Sequence, residues 1–336
     1  MQNKKYLLVM TVLLVLLIII SISSLFIGRY TLSFSDMLRE LVHYDGKYGL
    51  STGLAVISNL RLPRIIAVMM VGAGLSVAGC TYQAVLRNAL ASPDVLGTSS
   101  AAAFGAALGI LLGLPLQLSA FSPFMFGVVS LFCVMGLCHL KKNHSELTTI
   151  LSGIIVASVF MSFVSIIKYV ADPQDQLPAI VFWLMGSFAS LVKGQVYELI
   201  PLFVICYLII YRLRWKMNVL SLGDDDARIA GMKPQSLKAT LLITASILVA
   251  ASVTIAGVVG WVGLVIPHLV RTLVGYNHGK LIPASALCGA LFLLVIDNLA
   301  RTVTYAEIPI GILTALIGAP LFAVLFIMSN RYDRSK

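Results

Sequence analysis

Two kinds of side chain in this sequence could carry recognition or chemistry: a handful of carboxylates and a few placed arginines. The segment LGDDDARIAG at 222–231 sets three acids behind a glycine turn, and Ala227–Gly231 can form a turn or two of helix. Arg61 and Arg64 stand three apart in LRLPR, where Pro63 suits the first turn of a helix, and Arg301 closes the string DNLAR. A guanidinium grips a carboxylate with two parallel hydrogen bonds, so these arginines suit a basic rim that receives acidic side chains of an external partner. The plainer alternatives are lipid headgroups and, for Arg301, an i,i+4 pair with Asp297. Asp172, Asp175, Glu198, Asp297 and Glu307 all fall near the edges of apolar runs, and Glu307 suits the positive N-terminus of the last helix. Ion-coupled carriers usually hold acids in mid-membrane, so this distribution counts against a stand-alone proton- or sodium-driven carrier.

Catalytic signatures are missing. No G-x-x-x-x-G-K-[ST] occurs; the nearest string, GYNHGKL at 275–281, has the wrong spacing. HExxH and GxSxG are absent, and His139, His144, His268 and His278 are scattered. The five cysteines (80, 133, 138, 206 and 288) sit in apolar runs without a CxxC pair and read as small core hydrophobes. The chain therefore reads as a non-enzyme with no catalytic residue, metal ligand or bound cofactor of its own.

The elements that position these residues are membrane helices. Of 336 residues, 59% are hydrophobic and 11% charged, against about a quarter charged in soluble domains. The formal charge of +10 needs no nucleic acid, because membrane proteins gather Lys and Arg in cytoplasmic loops. Tyr6–Ile27 is too long for a signal-peptide core of ~7–15 residues and reads as a retained first span. Further spans follow at Ile65–Leu86, a hairpin within Val95–Leu140 broken near 113–123, Leu147–Ile167, Val196–Tyr211, Ala239–Ala256, a short one from Gly260 to Arg271, Leu281–Leu299 and Ile308–Ser329. That makes an all-α polytopic protein of about ten transmembrane helices, forming one transmembrane domain over 1–336. A barrel is excluded by the run lengths.

With ten spans both termini share a side. Placing them in the cytoplasm puts sixteen Lys and Arg inside and eight outside, as the positive-inside rule asks. The polar stretch 217–238 then becomes a cytoplasmic loop that docks something, and 171–195 an outer connection carrying a short helix with Trp183 at the interface. Gly72, Gly74 and Gly79, then Gly105, Gly109 and Gly113, read as close helix packing.

Taken together, LRLPR (60–64), GCTYQAVLRNALASPDVLG (79–97), AGVVGWVGLVIPHLVR (256–271), DNLAR (297–301) and EIPIGILTALIGAPLF (307–322) resemble the FecCD/cobalamin-type permeases of binding-protein-dependent ABC importers. The resemblance covers nearly the whole chain in order; one departure is Ala89, where the family often has proline. It implies a homodimeric permease in a bacterial or archaeal plasma membrane, two cytoplasmic ATPase subunits that use ATP and Mg, and an extracytoplasmic substrate-binding protein. It further implies that Leu220, Leu222, Gly223, Ala227 and Gly231 couple to the ATPase, with the small residues Ala227 and Gly231 at the contact. Arg61, Arg64 and Arg301 would meet glutamates of the binding protein, and Asn88, Leu90, Ser145, Thr148 and Thr149 would lie near an inner gate. The implied cargo is a metal chelate such as an iron-siderophore or haem, with cobalamin or molybdate as alternatives.

Overall fold

In lipid every backbone polar group must be satisfied within its own segment, and the apolar runs accordingly fold as helices. The computed structural model describes residues 2–28, 52–141 and 145–333, so Arg29, Arg39, Lys47, Lys142, His144, Arg334 and Lys336 lie outside it. Helix α1 is Gln2–Phe26. A short helix α2, Thr52–Val56, passes through a π-helical turn, Ile57–Arg61, into α3, Leu62–Val85. A 3-10 turn at Pro93–Leu96 leads to α4, Thr98–Leu111, then α5, Leu116–Leu140, and α6, Glu146–Val170. The short α7, Gln176–Leu184, precedes α8, Lys193–Leu220, and the six-residue α9, Asp224–Ile229. The chain continues with α10, Pro234–Ala256, α11, Val262–Val274, α12, His278–Thr302, and α13, Ile310–Asp333.

Seven of these helices are long and apolar enough to cross a bilayer, and α4, α11 and α13 are shorter apolar companions. Each of the ten expected spans thus has its helix. The short eighth span is real: thirteen residues of α11 reach only ~20 Å, less than a ~30 Å hydrocarbon core.

Helix α3 is the axis of the molecule. It lies in a helical stretch whose most apolar window is 78% buried, whereas that of α1 is 11% buried. Its glycines explain the contrast. A methyl group on Gly72 would lie 2.3 Å from the Gly289 carbonyl oxygen of α12, and one on Gly79 would lie 1.8 Å from that of Gly263 on α11. The backbones touch where side chains are absent. Gly105 packs likewise against Ser122, but Gly113 ends α4 in a left-handed turn facing open space.

Two expectations need correction. The second span begins at Gly53, twelve residues before Ile65, so Pro63 lies inside a continuous helical run rather than at its start. A proline there removes one backbone hydrogen bond and crowds the preceding turn, and the π turn just before it absorbs that defect. Cys80, Cys138, Cys206 and Cys288 are buried as expected, but Cys133 is exposed on α5. The stretch 171–195 carries the short helix α7, which packs into the bundle. Ile180 of α7 is buried with Ala107 and Ile167, and the segment after α7 is hydrogen-bonded into the fold. Ser187 donates to the Ala256 carbonyl, while Ile310 and Gly311 donate to those of Gly186 and Met185.

Candidate functional site: two charge clusters at opposite ends

The hydrogen bonds order the ends of the bundle. Lys280 at the start of α12 donates to Asn3, and His278 bonds Asn218 near the end of α8. The N-terminus, the loop carrying α9 and the start of α12 therefore share one end, here the α9 end. Helix α13 starts beside Gly186 at the far end and runs back, so the start of α1 and the end of α13 lie at the α9 end.

At the far end Arg61 and Arg301 are buried and Arg64 is half-buried. Arg64 Nη2 lies 2.8 Å from Asp297 Oδ1 on α12 and 2.8 Å from Glu307 Oε2 in the connection before α13. Its Nε and Nη1 donate to the same two carboxylates. Arg301 Nε stands 3.2 Å from Asp297 Oδ2, the expected i,i+4 pair. Arg301 also donates to Asn298, to Ser24 Oγ at 2.8 Å and to the Ile27 carbonyl at 3.1 Å. Arg61 donates to the Leu25 carbonyl at 2.5 Å. Asp297 is fully buried between two guanidiniums. Glu307 is explained by Arg64 and not only by a helix terminus. This cluster ties α1, α3, α12 and the 303–309 connection together. The connection itself is exposed at Val303 and Tyr305, beside a cavity of about 410 Å³ that Arg301 helps line.

At the α9 end the arrangement differs. Met217–Leu220 belong to α8, Gly223 has a φ of +152°, and the acids of GDDD begin α9, where its positive end faces carboxylates. Lys238, one turn into α10, lies 2.7 Å from both Asp224 Oδ1 and Glu146 Oε1. Arg87 Nη2 is 2.6 Å from the same Glu146 oxygen. The hydrogen bond that Arg87 donates to the Glu146 carboxylate holds its guanidinium above its usual pKa, against partial desolvation. A chain of charges therefore runs from α9 through Lys238 to the first residue of α6 and on to the turn after α3. No reading of the sequence singled out Glu146 or Lys238; the only trace is an acid directly after the Ser145 cap.

The coupling residues separate into two kinds. Leu220 and Ala227 are fully buried within this chain, so Ala227 faces inward and not a partner. Leu222 is 73% exposed and Ile229 86% exposed, which makes Ile229 a missed candidate for the outward face. Gly231 has a φ of +75° with open space around it. The residues expected near a gate lie on the two segments that the Arg87–Glu146 pair joins. Asn88 accepts the Leu90 N–H at 2.9 Å and shapes the turn, leaving Leu90 exposed. Ser145 caps α6, accepting the Thr148 N–H at 3.2 Å; Thr149 Oγ1 donates to the Ser145 carbonyl, and Thr148 is buried.

Comparison with known proteins gives the family and the fold. Residues 13–328 match the FecCD transport family. The molybdate import system permease protein MolB of Haemophilus influenzae is 41% identical over 332 residues, covering 97% of each chain. The Fe(3+)-citrate import system permease protein YfmE of Bacillus subtilis is 35% identical over 327 residues, covering 96% of each. A solved structure of a candidate metal-chelate type ABC transporter in an inward-facing conformation superposes with a TM-score of 0.85 at 40% identity, covering 96% of this chain and 99% of that one. The chain is a multi-pass membrane permease of an ABC importer and belongs to the FecCD transport family.

Proposed function

We propose that two copies of this chain enclose a pathway for a metal-bearing solute, and that the chain itself burns no nucleotide. The observation that carries the reading is α9: a short helix with buried Leu220 and Ala227 beneath it and exposed Leu222 and Ile229 above it. Exposed large apolar residues on a polar, charged loop mark a docking face. The α9 end is cytoplasmic in this reading, and the occupant is an ATPase subunit. ATP-driven closure of the paired ATPases pulls on α9. The Asp224–Lys238–Glu146 chain passes that displacement to α6 and to the 87–91 turn, where Asn88, Leu90, Ser145, Thr148 and Thr149 set the inner opening.

At the far end a substrate-binding protein docks on the 303–306 connection. Arg64, already holding two carboxylates, positions that connection, while Arg301 lines the cavity an acidic side chain would enter. Arg61 braces α1 beside it.

The cargo of first choice is a ferric chelate or haem, in keeping with the citrate relative. A second reading, molybdate, is favoured by the 41% identity to MolB. The test is uptake by proteoliposomes holding the chain, its ATPase and its binding protein. Competition by ferric citrate but not molybdate supports the first reading, and the reverse supports the second. Uptake driven by an ion gradient without ATPase would overturn both.

A further inference from the structure

The α9 end carries a cationic cavity that neither charge cluster uses. Its volume is about 450 Å³, and Lys5 and Tyr6 of α1, Arg271 of α11, and Tyr276 and Lys280 around the start of α12 line it. Three cations from three helices converge, and no carboxylate is among the described lining residues. Lys280 is steered by Asn3 at 2.9 Å and lies over the Tyr6 ring at 5.6 Å; Arg271 is held by Gln83 at 2.7 Å with its guanidinium 5.6 Å from the Tyr276 ring. Like charges gathered without a counter-charge make a site for an anion.

A second feature lies along the same two helices. One turn beyond Tyr6 comes Met10, and one turn beyond Lys280 comes Pro283. Both border an apolar groove of about 530 Å³ between α1, α3, α8 and α12, with Met69, Phe203, Ala286 and Leu287 among its walls. Helix α1 is the peripheral helix, so the groove and the cavity open at the rim of the bundle, where lipid reaches. Exposed Trp215, near Gly279, adds an interfacial aromatic at the same level.

We infer that this cleft binds one anionic phospholipid of the leaflet at the α9 end, with its phosphate among Lys5, Arg271 and Lys280 and an acyl chain in the groove headed by Met10 and Pro283. The stacking of a cation-lined head on an apolar slot is the shape of that ligand, and a free oxyanion would have no use for the slot. The bound lipid wedges α1 against α12 without touching the α9 face.

The experiment is native mass spectrometry of the delipidated protein in detergent, titrated with phosphatidylglycerol or with phosphatidylcholine of the same chains. Phosphatidylglycerol should bind as a single retained adduct, and phosphatidylcholine should bind far more weakly. Lys5→Gln/Lys280→Gln should weaken phosphatidylglycerol binding by about fivefold per cation removed, with phosphatidylcholine unaffected. Ala286→Trp, which fills the groove, should weaken it with the cations intact. If the double variant melts early, Lys5→Gln alone, at an exposed position, carries the headgroup arm. Equal retention of the two lipids would overturn the inference, as would no loss in the charge variants. Displacement of the lipid by millimolar inorganic phosphate would show a free-anion site and overturn it as well.

Discussion

The two charge clusters are built from the same residue types and are opposites in construction. At the far end Asp297 is wholly buried, Arg64 and Arg301 surround it, and every member sits on a long helix or is tied to one. At the α9 end Arg87 and Glu146 are partly exposed, and the members stand at helix starts and in turns: Arg87 past the end of α3, Glu146 at the first residue of α6, Asp224 at the first of α9. Buried charges that satisfy one another lock helices, because separating them exposes an uncompensated ion in a low-dielectric interior. The partly exposed Arg87–Glu146 pair, between a turn and a helix start, costs little to rearrange. The first cluster is a clamp and the second is a joint.

Breaking the clamp should give the largest effect. Asp297→Asn leaves two guanidiniums short of a counter-charge and should destabilise the protein by ~3–5 kcal/mol, read as a lowered melting temperature in detergent. An unchanged melt would show that the cluster holds nothing. Next in size is the packing that lets α3 serve as the axis. Gly79→Ala drives a methyl group into the Gly263 backbone and should cost ~1–3 kcal/mol or more, whereas Gly231→Ala, in open space, should be milder and limited by backbone strain. Comparable losses at both positions would mean that the α3–α11 contact is less tight than its geometry. Breaking the joint should do least to stability and most to work. Arg87→Met, at the half-exposed end of the chain of charges, should cost about 1 kcal/mol, yet ATP hydrolysis in the assembled complex should continue while uptake falls. Uptake and hydrolysis falling in proportion would place Arg87 outside the transmission.

The clamp and the joint were unequally legible in the sequence. Ten spans could be read because lipid demands long apolar runs, and hydropathy reports run length. The coupling segment stood out as a polar interruption between such runs. The i,i+4 pair of Asp297 and Arg301 was visible because helix geometry fixes it. What could not be read is pairing across helices. Arg64 meets partners 233 and 243 residues away, and Lys238 meets Glu146 92 residues away; no local period encodes these. Ala227 was read as a contact residue because it is small. Smallness is equally what a buried position beneath a short helix requires, and burial decides for the latter. The π turn before Pro63 was hidden because proline usually starts helices, and here the strain is taken up by an inserted residue instead.

The outward face of α9 offers the most direct test of the account. Ile229→Asp changes an 86% exposed side chain, so the permease should fold and melt as before, within ~0.5 kcal/mol. The measurement is the affinity of the purified permease for its ATPase subunit, taken beside ATP-dependent uptake. The account predicts at least ~10-fold weaker association and matching loss of uptake. Undiminished association, or uptake against a gradient by the permease alone, would contradict it.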